Sequence, residues 1–158
     1  MAKNGYYITT EGAIATGTSL KYILGVKSGA TTANHGVDLI GYTIAFDGTT
    51  AGATPVLVEI CACTFATNGP GTNSTSVTVR QAYGRAAGTG FSAAANWTSA
   101  PTVVTVIKQF YLTPNGGTIV YDWPLGTSPD SPLGEGFVIR VTADASVNVT
   151  ASMRFERC

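Results

Sequence analysis

The chain has 158 residues and no net charge, because nine Lys and Arg residues balance nine Asp and Glu residues. Only 11% of the residues are charged, against about 25% in an ordinary globular domain, and without a basic excess the composition argues against nucleic acid as a partner. This length predicts one domain with a single core. The weakly charged surface expected from this composition suits packing against other subunits.

The N-terminal residues show no targeting signal. Met1–Gly5 leads into Tyr6-Tyr7-Ile8 without an apolar h-region. No apolar run approaches the ~18 residues that a membrane helix needs. We therefore expect no membrane partner and a chain that matures in a reducing cytosol, where the odd number of cysteines also fits free thiols.

Residues 1–18 are rich in Thr, Gly and Ala and are predicted to form an extended arm. The arm carries the cluster Tyr6-Tyr7-Ile8 but too little apolar surface to order by itself. We expect it to fold against a partner, either a neighbouring subunit or a larger assembly. The alternative is that residues 6–8 pair as an edge strand with the chain's own sheet.

Three strands are predicted before residue 64. Ser19–Lys27, Ile40–Phe46 and Val56–Cys63 each alternate larger apolar residues with small or polar ones, so each can bury one face. Asp47-Gly48 supplies a turn, and the second and third strands are expected to form a hairpin. The predicted inward residues are Leu20, Tyr22, Leu24, Val26, Ile40, Tyr42, Ile44, Phe46, Val56, Val58, Ile60 and Ala62.

Residues 64–101 are dominated by small and turn-forming residues and are predicted to form a long surface excursion. One modest β pattern, Ser74–Tyr83, lies within it, and Phe91–Asn96 is too short to hold a helix unaided. Long excursions are often functional. The aromatic side chains of this segment could stack on a sugar, anchor a subunit interface or form a minor core under the loop.

Four strands are predicted after the excursion. Thr102–Leu112 and Thr118–Trp123 flank a turn and indicate a second hairpin. Residues 137–142 alternate after a Pro/Gly-rich stretch, and residues 147–156 alternate most regularly. In the last strand the inward set is Val147, Val149, Ala151, Met153 and Phe155, and the outward set is Asn148, Thr150, Ser152, Arg154 and Glu156.

About eight strands without a convincing helix predict an all-β fold, a two-sheet antiparallel β-sandwich. Eight antiparallel strands in two sheets are what a jelly roll needs, although an immunoglobulin-like topology fits the alternation as well. The expected domain organisation is the arm over residues 1–18 and a single domain over residues 19–158 that carries the excursion.

No group of residues in the sequence indicates catalysis or a cofactor. His35, the only histidine, lies in a Gly/Thr/Asn loop where a solvated position is expected. Cys61, Cys63 and Cys158 lack the paired short spacings of a structural zinc site. The carboxylates offer many pairs and nothing that singles one out. We therefore expect no enzymatic activity, no catalytic residue, no metal and no cofactor.

One motif resembles a known family. An aromatic residue, Asp47-Gly48-Thr49, a Thr/Ala/Gly linker and Pro55-Val56-Leu57-Val58-Glu59 are similar to the small capsid-associated jelly-roll proteins of tailed bacteriophages. The resemblance continues in order along the chain, and it implies jelly-roll topology and a non-enzymatic decoration or cement subunit on the capsid exterior. The further similar segments are Leu20–Val26, Tyr121–Gly126, Gly134–Arg140 and Ala151–Glu156.

The resemblance also implies the partners. They are the major capsid protein and further copies of the chain, for which a homotrimer is expected because closed cyclic symmetry is the rule for homo-oligomers. Assembly in the host cytoplasm would place the protein on the virion. The alternative is a carbohydrate-binding jelly-roll module or a receptor-binding virion component. The interface candidates are Tyr6, Tyr7, Ile8, Tyr83, Phe91 and Trp97.

Overall fold

The protein is an all-β sandwich of two antiparallel sheets, as the sequence predicts. The computed structural model describes residues 4–29, 35–48, 54–84 and 90–158. Within these ranges no helix forms, and hence no helix that could span a membrane. The apolar faces of the two sheets meet in one main core.

Twelve strands form in the described part of the chain, so the prediction of about eight was too low. The difference arises because the predicted arm contributes two strands, Phe91–Ala95 adds one, and the Ser74–Tyr83 pattern divides into two. The strands are β1 Gly5–Thr9, β2 Ile14–Ala15, β3 Lys21–Ser28, β4 Val37–Phe46, β5 Val56–Cys63, β6 Thr75–Ser76, β7 Arg80–Tyr83, β8 Phe91–Ala95, β9 Val103–Leu112, β10 Thr118–Asp122, β11 Gly136–Thr142 and β12 Asn148–Arg157.

The strand order divides the chain evenly between the sheets. The first sheet runs β10-β4-β12-β1-β7, with β2 also paired to β12, and the second runs β6-β8-β3-β11-β5-β9. When the insertions β2, β6, β7 and β8 are set aside, the remaining eight strands pair in a nested order. The first pairs with the last, the second with the seventh, the third with the sixth and the fourth with the fifth.

Neither predicted hairpin forms, because the strands of each pair lie in opposite sheets. β4 belongs to the first sheet and β5 to the second, and β9 and β10 are divided in the same way. The two turns meet each other instead, since the Gly48 amide donates to the Pro114 carbonyl at 2.9 Å. Alternation predicts which face of a strand is buried, but both sheets offer the same kind of apolar face, so alternation does not assign a strand to a sheet.

Residues 49–53, including Thr49 of the family motif, lie outside the described residues.

The predicted inward faces are largely confirmed. In β12 the inward residues Val149, Ala151, Met153 and Phe155 are buried, while Glu156 is also buried although it was expected to face outward. β-Bulges account for the errors elsewhere. A bulge in β3 turns Tyr22 away from the main core, and one in β4 places Leu39 in the core where Ile40 was expected; Leu20, before β3, is exposed.

The predicted arm is part of the sandwich. β1 is hydrogen-bonded to β12 on one side and to β7 on the other, so it is neither a free segment nor an edge strand. Tyr6 and Ile8 are completely buried, and the Tyr6 ring packs on Phe155 and Phe91 at centroid distances of 5.9 and 5.2 Å. The expectation that this segment orders only against a partner is therefore wrong for residues 5–9, because their alternation supplies an inward face.

The excursion over residues 64–101 builds structure on both sheets. Its strand β7 extends the first sheet, and β6 and β8 extend the second. Phe65 and Trp97 cover the outer face of the second sheet and form a second core with Cys61 and Cys63. The Trp97 indole Nε1 donates to the Asn68 carbonyl at 2.8 Å. The minor core under the loop, left open by the sequence, is the alternative that the structure shows for Trp97.

Candidate functional site

Most of the predicted interface residues are not available to a partner. Tyr6, Ile8 and Trp97 are buried, and Phe91 is half-buried against Tyr6 and Phe155. These four side chains stabilise the fold, because alternation and loop packing direct them inward. Tyr7, 37% exposed, and Tyr83, 45% exposed, are the two that reach the surface.

Tyr7 and Tyr83 lie on the outer face of the first sheet. Tyr7 stands directly between Arg154 of β12 and Arg80 of β7 in the strand register. The Tyr83 ring crosses Gly5, where a Cβ would approach the ring to 2.3 Å. This crossing lets the Tyr83 hydroxyl donate to the carboxylate of Glu156. A glycine is therefore required at position 5 for the aromatic ring to lie flat on the sheet.

The charges around the two tyrosines are paired. Arg154 Nη2 lies 2.5 Å from Asp122 Oδ1, and Arg80 Nη1 lies 3.7 Å from Glu11 Oε1. The first pair crosses β4 above Gly41, where a Cβ would lie only 2.2 Å from Asp122 Oδ1. Both pairs are half-exposed and contribute little to stability. Their effect is to leave this face aromatic and without net charge.

Two exposed leucines lie at the same end of the sandwich. β10 ends at Asp122, which lies in the same cross-strand row as Tyr7. The loop over residues 123–135 therefore emerges beside Tyr7. Leu125 of this loop is fully exposed, and Leu133 is 49% exposed. Leu125 is held in a tight turn in which the Thr127 amide donates to the Pro124 carbonyl at 2.9 Å. The turn presents this side chain rigidly to the outside.

These four side chains define what we call the contact end: Tyr7, Tyr83, Leu125 and Leu133. They account for four of the seven exposed large hydrophobic residues in the described ranges. β10 and β7, which flank the region, are four strand spacings or about 19 Å apart. Sequence reasoning missed both leucines. The available signal was the pattern Pro124-Leu125-Gly126-Thr127, in which a turn places an apolar residue at its tip.

The thiols show no sign of reactivity. Cys61 and Cys63 are buried in the second core, and burial raises the pKa of each thiol to about 11. Cys63 Sγ also donates to the Thr102 carbonyl at 2.8 Å. Because the thiolate is the nucleophile, a raised pKa disfavours catalysis by these residues. Cys158 is free and exposed.

His35 is less solvated than the sequence predicted. Its ring lies 4.8 Å from the Phe91 ring, centroid to centroid. Burial, and then the nearby charge of Arg157, lower the pKa of the imidazole. Among the residues with described positions, no three His, Cys, Asp or Glu side chains form a group that could hold a metal ion.

An ion pair is built into the outer face of the second sheet. Arg140 Nε donates to Glu59 Oε2 at 2.8 Å, and Arg140 Nη1 donates to the Tyr22 hydroxyl at 3.4 Å. Both charged side chains are largely buried. The pair satisfies two charges that β5 and β11 bring together in register, so we assign it a structural role.

Comparison of the chain with protein-family models, curated proteins and solved structures finds no match.

Proposed function

We propose that the protein is a non-enzymatic structural subunit that decorates and reinforces the exterior of a bacteriophage capsid. The observation that carries this proposal is the contact end, where exposed aromatic and aliphatic side chains surround arginines whose charges are already paired. Tyr and Arg are enriched in protein interfaces and dominate their binding energy. The partner at this end is the major capsid protein.

The nested strand pairing supports jelly-roll topology, the fold that the family resemblance implies. A jelly roll results when a long antiparallel hairpin of eight strands folds over into two sheets. The pairs β1 with β12, β3 with β11, β4 with β10 and β5 with β9 follow this scheme. In this proposal the excursion is an insertion between the fourth and fifth strands that widens both sheets.

Reinforcement would come from buried interface alone. A standard contact buries ~1,600 Å², or about 800 Å² on each partner, and repeating it over a lattice opposes internal pressure without chemistry. Because only 11% of the chain's residues are charged and its net charge is zero, adjacent copies repel each other weakly. We propose that copies of the chain associate as a homotrimer on the lattice.

Binding to emptied capsids of the encoding phage tests the contact end. We expect the double variant Leu125→Ser, Leu133→Ser to bind at least about tenfold more weakly, since losing two anchors of an interface costs over 1.4 kcal/mol. Both residues are exposed in loops, so folding should be unchanged. Co-sedimentation over a range of protein concentrations measures the affinity.

The matched control is Tyr111→Ser, because Tyr111 is 68% exposed on β9 of the second sheet, outside the contact end. This control should bind like the parent. Equal binding by the parent and the double leucine variant, or equal weakening by Tyr111→Ser, would show that the contact end is not the capsid-binding surface.

A further inference from the structure

A shallow groove of about 290 Å³ lies on the outer face of the first sheet, where its floor row is the next one along the strands from the row that contains Tyr7. Its floor crosses three neighbouring strands at Thr43, Ser152 and Thr9, which are paired in register. Glu11 and Gly12 of the turn after β1 line it as well. Hydroxyl-bearing side chains that the sheet holds in place therefore line the groove, and carbon atoms supply most of its exposed surface.

The hydroxyl groups of the floor are available to a ligand. Thr43 and Ser152 lie on adjacent strands about 4.8 Å apart, and Thr150 follows on the same face of β12. The hydroxyls of these three residues make no hydrogen bond to the described residues. Each hydroxyl can donate one hydrogen bond and accept two. Such a surface matches a ligand that also carries closely spaced hydroxyl groups.

Glu11 supplies a fixed acceptor at the groove. Its backbone is in the left-handed region at φ 57°, and its Oε1 accepts a hydrogen bond from the Thr78 amide at 3.1 Å. The same oxygen lies 3.7 Å from Arg80 Nη1, which balances the negative charge. The second oxygen, Oε2, has no donor among the described residues and can accept from a ligand hydroxyl. The balanced charge favours a neutral ligand over an ionic one.

We propose that this groove binds a neutral saccharide, through hydroxyl contacts from Thr43, Thr150 and Ser152 and a carboxylate contact from Glu11. This activity goes beyond capsid decoration, and its three hydroxyl-bearing residues are separate from the four side chains of the contact end. No aromatic ring lines the groove. Because the affinity rests on hydrogen bonds alone, the dissociation constant is expected to be on the order of 1 mM.

Amide chemical-shift titration of the full chain tests the proposal, with lactose, maltose and N,N′-diacetylchitobiose as separate probes. At least one probe should shift the amides of Glu11, Gly12 and Ser152 in a saturable manner. The variants Thr43→Val and Ser152→Ala should each weaken that binding about fivefold, because each removes one hydrogen bond. Glu11→Gln should weaken it further, since it replaces a charged acceptor.

Thr105→Val is the matched control, because Thr105 is exposed on β9 of the opposite sheet. It should leave the titration unchanged, and Thr43→Val and Ser152→Ala should bind capsids like the parent. The proposal is overturned if no probe shifts the groove amides, if the shifts map elsewhere, or if Thr43→Val and Ser152→Ala bind the sugar as Thr105→Val does. A failure of capsid binding would leave the sugar result standing, so the two proposals are tested separately.

Discussion

Cys61 and Cys63 show how a single residue type acquires its role from its place in the fold. They alternate with the inward residues of β5 and therefore point to the outer face of the second sheet. Trp97 and Phe65 cover that face, so both thiols are buried although they lie outside the main core. Their contribution is packing, and their raised pKa has a measurable consequence.

Stability should fall as the pH rises from about 9 to 11. In the unfolded chain the two thiols ionise near their ordinary pKa of 9.0, whereas in the folded protein they ionise at about 11. The stability from keeping them protonated is therefore complete below pH 9 and is lost as the pH passes through the folded pKa. Thermal melts of the parent and of the double variant Cys61→Ala, Cys63→Ala, at pH 8 and pH 10, measure the effect.

The double variant should show a smaller loss of melting temperature between these two pH values than the parent. Cys158→Ala is the control for a thiol outside the second core. The pKa of Cys158 is also raised, by desolvation and then by Asp130, so this single variant should keep more of the parent's pH dependence than the double variant does. An equal pH dependence in the parent and the double variant would mean that the two thiols are not buried in the protonated form.

At the scale of single elements, β1 ties the N-terminal segment to the core and to both of its neighbouring strands. Its inward residues Tyr6 and Ile8 belong to the main core, and its backbone joins β12 to β7. β7 comes from the excursion, so the N-terminal segment and the excursion depend on each other. Because this five-residue strand lies among small polar residues and contains only two inward side chains, the sequence pattern predicts an extended arm here and not a strand.

Deletion of residues 2–17 should therefore abolish cooperative folding of the isolated protein. The deletion removes two fully buried large side chains and exposes the edge of β12, and core truncations of this size cost about 3 to 5 kcal/mol each. Circular dichroism on heating measures the result. Tyr7→Ser, which keeps the strand and changes an exposed side chain, should melt close to the parent. A truncated protein with the parent's melting temperature would show that β1 is not part of the folded domain.

Sequence alternation predicted the buried faces of β5, β11 and β12 because each strand has one apolar side along most of its length. It could not predict the sheet to which a strand belongs, since β4 and β5 present equivalent apolar faces to one shared core. It also could not predict the bulges in β3 and β4, which depend on pairing with distant strands. The sequence does not predict β8, because the side chains of Ala93 and Ala95 are too small to give an alternating β pattern.

At the scale of the whole molecule, the two outer faces differ in how they are covered. The excursion covers part of the second sheet with Phe65 and Trp97, and the first sheet keeps an open face that carries the groove and, next to it, the tyrosines of the contact end. The candidate interface could be predicted only in part. The sequence predicts Tyr7 and Tyr83 as interface residues, whereas the position of Leu125 and Leu133 depends on where the loop after β10 emerges.

The contact end of this β-sandwich is proposed to bind a capsid shell. A cryo-electron reconstruction of the encoding phage particle tests it most directly. The reconstruction should show the sandwich on the outer surface of the capsid in repeated copies, with Leu125 and Leu133 within contact distance of the major capsid protein. A particle whose exterior lacks this sandwich, or one that holds it with the contact end turned to solvent, would contradict the proposal.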